Sequence, residues 1–180
     1  KAITLFKIFA KEKFKPNEIL FEMNNDLNET NPPGIFITSI VGSYNLKTDI
    51  VELSNAGHQP AILRKGDNFT EFPSSSTPLA VIKQKNADIY KLENFKLDGG
   101  RVYCFTDGFS ESLDENKKEI GIDGVKNLIK KHKNLSLKKE LENATEEIRL
   151  NSLKKDYKEK GINKSSDILD DDLTIIGIGK

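Results

Sequence analysis

The sequence predicts an α+β fold in which antiparallel β-sheets pack between helices in layers. Three observations predict it. Apolar residues recur at helical spacing near the start of the chain, at Ile19, Leu20, Met23 and Leu27. Ile35 to Tyr44 is rich in Ile, Val, Phe and Thr, and short strand-like runs separated by turn signals follow as far as Phe105, as strands and hairpins require. Helical spacing then returns, with apolar residues at Val125, Leu128 and Ile129 and again at Leu137, Leu141, Ala144 and Ile148.

Taken in order, Ala2 to Ala10 is apolar around most of its circumference, the pattern of a buried helix or of one that has lost a neighbour. Pro16 suits the first position of a second helix, because its missing N–H has no partner to lose there. Asn31-Pro32-Pro33-Gly34 ends that helix. Ile35 to Tyr44 reads as a strand, Asn45 to Thr48 as a turn and Ile50 to Ser54 as the returning strand. Ala61 to Arg64, Ile89 to Leu92 and Arg101 to Phe105 read as further short strands, the last preceded by the turn Asp98-Gly99-Gly100. Asp123 and Ser136 are expected to cap the two late helices. Lys154 to Lys164 reads as a solvated loop, and Leu173 to Ile178 as a closing strand.

At 180 residues, the chain is expected to form a single domain spanning 1–180 and can bury a sizeable core. Lys+Arg and Asp+Glu balance at 28 each, so no net field draws the chain to nucleic acid or to an anionic membrane. No apolar run reaches the ~20 residues of a membrane helix, and the N-terminal stretch lacks the features of a signal peptide. The single cysteine, Cys104, excludes an internal disulfide, fits a reducing cytoplasm and reads as core packing within Val102 to Phe105. His132, among lysines, reads as a surface residue. The chain begins with Lys1 rather than Met, which suggests a piece of a longer or processed protein.

Two acidic segments adjoin apolar strands. Thr106-Asp107-Gly108 follows one strand, and Asp170-Asp171-Asp172 precedes the last. If those strands are antiparallel neighbours, Asp107 and Asp171 meet from 64 positions apart. Two close carboxylates repel unless a proton or a cation intervenes, and hard oxygen donors favour Mg²⁺ or Mn²⁺. Gly108 lets the backbone approach such an ion. Taken singly, an Asp-Gly pair is also a common turn, and a run of aspartates is also a solvated loop. A third segment, Asn55-Ala56-Gly57-His58-Gln59-Pro60, follows a strand. No Ser/His/Asp set, Cys/His cluster or Gly-rich phosphate loop is present.

In order and spacing these segments resemble the metal-dependent protein phosphatase (PPM) family, in its bacterial branch of sporulation and sigma-factor regulation. The matching stretches are Phe36-Ile37-Thr38, Leu53 to Leu63, Val102 to Glu111 and Asp171-Asp172-Leu173-Thr174-Ile175. The resemblance implies an α-β-β-α sandwich and a two-metal centre of Mn²⁺ or Mg²⁺. By motif, Asp107 and Asp171 correspond to metal ligands, Asp172 to a polar neighbour and Gly108 to a backbone donor, while Asn55, His58 and Thr106 lie near the site. His58 stands where eukaryotic relatives place an aspartate. The family's upstream Gly-Asp and Asp-Gly motifs are not visible before Asp107, so the chain reads as N-terminally incomplete.

The implied activity is hydrolysis of phosphoserine or phosphothreonine on a regulatory protein, such as an anti-sigma antagonist, by metal-activated water. Two alternatives stay open: a non-catalytic partner-binding module, and a phosphotransferase with Asp107 as nucleophile, which would need parallel βαβ units. Unpaired sheet edges left by missing strands would favour self-association.

Overall fold

The computed structural model describes residues 1–12, 14–114, 116, 118–160 and 173–179, and the side chains of 152–160 fall outside that description. In chain order the elements are α1 (Ala2–Lys11), α2 (Pro16–Thr30), β1 (Ser39–Asn45), β2 (Ile50–Ala56), β3 (Ala61–Lys65), β4 (Asn68–Phe72), β5 (Glu93–Lys96), β6 (Arg101–Phe105), α3 (Asp107–Ser110), α4 (Gly121–Lys131), α5 (Leu137–Lys160) and β7 (Ile175–Gly179). The strands form antiparallel pairs within two sheets, ordered β1-β2-β5 and β4-β3-β6-β7. The fold is therefore α+β with antiparallel sheets, as expected from the sequence. Two compact units are present, Lys1–Ile62 with Thr70–Asp98, and Leu63–Phe69 with Gly99–Lys180.

In the first unit, Pro16 opens α2 and Glu18 reaches back to accept the Lys15 N–H at 2.7 Å, satisfying one of the donors a helix start leaves orphaned. The stripe read from the sequence is the buried face: Ile19, Leu20, Met23 and Leu27 join Leu5, Val41, Ala56, Leu79 and Tyr90 in one apolar cluster. Each such side chain contributes about 1.5–3 kcal/mol on burial. α1 buries Leu5 and leaves Ile3, Phe6 and Ile8 exposed. β1 and β2 pair from Ser39↔Ala56 to Asn45↔Ile50. Their turn is closed by Asn45, whose Oδ1 accepts the N–H groups of Lys47 and Thr48 at 3.0 and 3.2 Å.

Three sequence expectations are corrected here. The first strand begins at Ser39 rather than Ile35, because its partner β2 ends at Ala56; upstream only an isolated bridge, Ile37↔Leu79, remains. The strand expected at Ile89 to Leu92 is instead a 3₁₀ turn at Ala87–Ile89, started by Asn86 Oδ1 accepting the Asp88 N–H at 3.1 Å. The β2 partner is β5, a few residues later. β4 was missed altogether; Gly66, at φ +60°, and Asp67 make the two-residue hairpin turn that signals it.

In the second unit, β6 and β7 are antiparallel from Arg101↔Gly179 to Phe105↔Ile175. α5 lies on β7 so closely that a Cβ on Gly177 would sit 2.7 Å from Leu137 Cδ1. Val125 and Ile129 of α4 and Ala144 and Ile148 of α5 are buried. Asp123 is not a cap: α4 already starts at Gly121, and Asp123 sits in its first turn, where a carboxylate suits the helix N-terminus. Ser136 does stand directly before α5, its carbonyl accepting the Glu140 N–H at 2.9 Å. Helix α5 runs on to Lys160, so Lys154 to Lys160 is helix rather than loop, in keeping with its strong helix formers; residues 161–164 lie outside the described residues. His132 is partly buried, with Nε2 3.4 Å from Glu147 Oε2, and is not a bare surface residue.

Candidate functional site

β6 ends at Phe105 and the chain turns at once into α3. Thr106 occupies the position that would normally cap this helix, yet its hydroxyl makes no cap bond. Oγ1 accepts the Thr174 N–H at 3.1 Å, and the Thr106 N–H donates to the Thr174 carbonyl at 3.0 Å. The β6–β7 ladder is thereby carried one residue past Phe105↔Ile175, up to the edge of Asp107.

Asp107 is exposed, while Phe109 two residues on is fully buried and meets Phe105 edge-on at 6.5 Å. That aromatic anchor fixes a helix of only four residues, too short to hold itself. Asp107 Oδ1 accepts the Gly108 N–H at 3.1 Å, and among the described residues Oδ2 accepts no hydrogen bond. Two hydroxyls brace the backbone: Ser110 Oγ donates to the Asp107 carbonyl at 3.0 Å, and Ser112 Oγ to the Gly108 carbonyl. The latter bond uses one of two lone pairs on the Gly108 oxygen. Asp171 and Asp172 lie outside the described residues. The strand adjacency that a meeting of Asp107 with Asp171 requires is present.

Asn55, Gly57 and His58 belong to the first unit. Asn55 is buried and organises the turn: Oδ1 accepts the His58 N–H at 2.9 Å, and Nδ2 donates to the carbonyls of His58 and Gln59 at 3.2 and 3.1 Å. His58 Nδ1 lies 3.1 Å from Thr38 Oγ1, which orients the ring. Ser74 Oγ accepts the Gly57 N–H at 2.6 Å and lies 3.2 Å from the Asn55 carbonyl. Ser74 was not picked out from the sequence; the signal was the hydroxyl-rich run Ser74 to Thr77 between Pro73 and Pro78. Ser112, four residues after Gly108, was missed for want of any pattern.

Gly57 is held at φ +70°, and a Cβ there would lie 2.5–2.7 Å from Pro78 atoms. Gly57→Ala is expected to cost about 2–4 kcal/mol, combining left-handed backbone strain with overpacking. Gly66→Ala, at φ +60° but with nothing within 4 Å, is the control and carries only the strain, about 1–2 kcal/mol. Equal losses in urea denaturation would show that the Pro78 contact is unimportant.

The donor type at the Asp107 corner fits a hard divalent cation, with an ionisable carboxylate oxygen left available and carbonyl oxygens beside it. One described carboxylate does not complete a site, and among the described residues no group of three His, Cys, Asp or Glu side chains comes together. The Cys104 thiol is pushed up to about 11 by burial, which leaves it protonated and unsuited to nucleophilic attack.

The family model for stage II sporulation protein E matches residues 1–179. Among solved structures, the SiaA-PP2C domain of Pseudomonas aeruginosa is similar at a TM-score of 0.73 and 16% identity, over 99% of this chain. The PP2C phosphatase domain of Bacillus subtilis SpoIIE, with a fragment of its regulatory domain, matches at 0.65 and 16% over 98%. The RsbU and RsbW domains of a Mycobacterium tuberculosis protein match at 0.63 and 17% over 98%. The chain spans 66%, 48% and 45% of those three structures respectively. No curated protein matches it.

Proposed function

The chain belongs to the stage II sporulation protein E family, of PP2C-type phosphatase domains, and from that premise we propose that it is the part of a serine/threonine phosphatase that carries ligands of the catalytic metal centre. The substrate is a phosphoserine or phosphothreonine on a regulatory protein. The observation that carries this reading is the antiparallel pairing of β6 with β7, because it sets Asp107 one residue beyond a hydrogen-bonded pair that includes Thr174. Asp171 precedes Thr174 by three residues, and three residues of chain reach at most about 11 Å.

In this reading Asp107 and Asp171 hold the ions, Asp172 is a polar neighbour and the Gly108 carbonyl is a weaker donor. Mn²⁺ or Mg²⁺ bound there would supply Lewis acidity toward water and the phosphoryl oxygens. The protein's part is positional. Gly108 N–H orients Oδ1 of Asp107 and leaves Oδ2 for ligation. The hydroxyls of Ser110 and Ser112 hold the two carbonyls of α3 in place. Within the first unit, Thr38 orients the His58 ring and Asn55 holds the His58 backbone. No protein nucleophile is required. The antiparallel β6–β7 pair also lacks the parallel βαβ frame of an aspartyl phosphotransferase.

The test, run on the chain extended upstream within its protein because this chain spans only 66%, 48% and 45% of the three structures above, is Mn²⁺-dependent hydrolysis of p-nitrophenyl phosphate and of a phosphoserine peptide. Expected is turnover that EDTA abolishes and Mn²⁺ restores. Absence of turnover together with absence of any Mn²⁺-induced rise in melting temperature would instead favour a non-catalytic partner-binding module.

A further inference from the structure

We infer that Thr106 is a positioning residue for the metal centre, acting by fixing where β7 enters the site rather than by capping α3. The inference rests on the phosphatase reading above. A threonine directly before a helix ordinarily turns its hydroxyl onto that helix's own N–H groups. Thr106 does not. Its Oγ1 accepts the N–H of Thr174, 68 positions away, while its own N–H grips the Thr174 carbonyl. The two bonds close a ring between the last residue before Asp107 and the segment three residues after Asp171.

The rest of β7 does not depend on this ring. Its register is independently set by Gly177, since a one-residue slip would drive an isoleucine into the space where a single Cβ already meets Leu137 at 2.7 Å. Loss of the Thr106 hydroxyl therefore frays only the end of β7 beside Asp107 and leaves the strand in place. Loss of a bond made directly to a metal ligand typically weakens metal binding 10- to 100-fold, and this bond, one step removed from a ligand, is expected at the low end of that range. The hydroxyl, not the γ-methyl, does this, so serine suffices and the isosteric valine does not.

Thr106→Val and Thr106→Ser separate the possibilities. Mn²⁺ affinity is read by titration calorimetry, fold by melting temperature, and the strand end by amide exchange at Thr174. Expected are a Mn²⁺ Kd raised about 10-fold in Thr106→Val, faster Thr174 exchange, a nearly unchanged melting temperature and wild-type affinity in Thr106→Ser. Equal Mn²⁺ affinity in Thr106→Val and wild type would overturn the positioning role while leaving the phosphatase reading intact. Parallel weakening of both variants, or affinity lost only along with the fold, would also overturn it. A wild-type chain, extended upstream as in the activity test, that binds no Mn²⁺ would defeat the phosphatase reading itself, and this inference with it.

Discussion

Asp107→Asn is expected to lower Mn²⁺-dependent turnover on the order of 100-fold or more, with the melting temperature nearly unchanged. The size follows from charge. Asparagine is nearly isosteric but neutral, and a neutral amide oxygen offers a divalent ion far less than a carboxylate does. The small structural effect follows from the surroundings. Asp107 is exposed, and among the described residues its side chain makes one hydrogen bond, from the Gly108 N–H to Oδ1. Asparagine retains that acceptor, and surface changes of this kind usually stay within about 0.5 kcal/mol. Because α3 is anchored by Phe109 and not by Asp107, a loss of activity would report on the metal centre and not on the fold. Turnover within a few fold of wild type would remove Asp107 from the ligand set. Asp171→Asn makes the companion test, and full activity in both variants would remove both aspartates from the ligand set and overturn the proposed metal centre.

Much of this architecture was legible in the residues because local and global signals agree. The stripe Ile19, Leu20, Met23 and Leu27 has one helical period and one face, and that face is the core. The sequence posed the antiparallel adjacency of the strands ending at Phe105 and starting near Thr174 only as a condition for two acidic segments to meet, and the pairing is present. What could not be read was competition among neighbours. Ile89 and Tyr90 have the composition of a strand, but Asn86 starts a tight turn before them, and Tyr90 goes into the core from that turn. Ile35 and Phe36 look like strand residues, yet β2 ends before it can pair with them. The hydroxyl braces Ser110 and Ser112 beside Asp107, and separately Ser74 beside Gly57 in the first unit, belong to no periodic pattern in the sequence.

One misreading has the largest energetic consequence. The late stripe Leu137, Leu141, Ala144 and Ile148 was traced through its apolar members, and Glu140 was passed over although position 140 lies on the same face, three after Leu137 and four before Ala144. A charge inside an apolar stripe was the available signal. Glu140 is 0% exposed. Its Oε1 accepts from Tyr103 OH at 3.0 Å and from Arg64 Nη2 at 3.3 Å, and its Oε2 is paired with Arg101 Nη1. Arg64 Nε and Nη2 also reach the Tyr103 hydroxyl at 3.3 and 3.1 Å, and Arg101 Nη1 reaches the Leu135 carbonyl at 3.0 Å. One carboxylate thus ties α5 to β3 and β6. Burial, more than any neighbour, pushes the Tyr103 phenol up to about 12, so it remains a donor throughout the working pH range.

Glu140→Ala is therefore expected to cost about 3–5 kcal/mol, measured as a fall in the urea midpoint with the slope held. The figure does not measure what the ion pairs contribute to folding. Bringing three charges out of water costs nearly as much as their attraction returns, and an apolar replacement of the whole cluster could be neutral. The loss arises because alanine removes the buried carboxylate that faces two largely enclosed guanidinium groups, with side chains only 9% and 13% exposed. Against a total stability of about 5–15 kcal/mol such a loss is a large fraction. Tyr103→Phe removes one hydroxyl and leaves the charges unchanged, so it is expected to cost only about 1–2 kcal/mol. A double-mutant cycle between Glu140→Ala and Arg64→Met should show the losses to be strongly non-additive, because deleting a buried arginine as well relieves part of the imbalance. Additive losses, or a Glu140→Ala cost below that of Tyr103→Phe, would mean that water reaches the cluster and that α5 is held to the sheet by its apolar face alone.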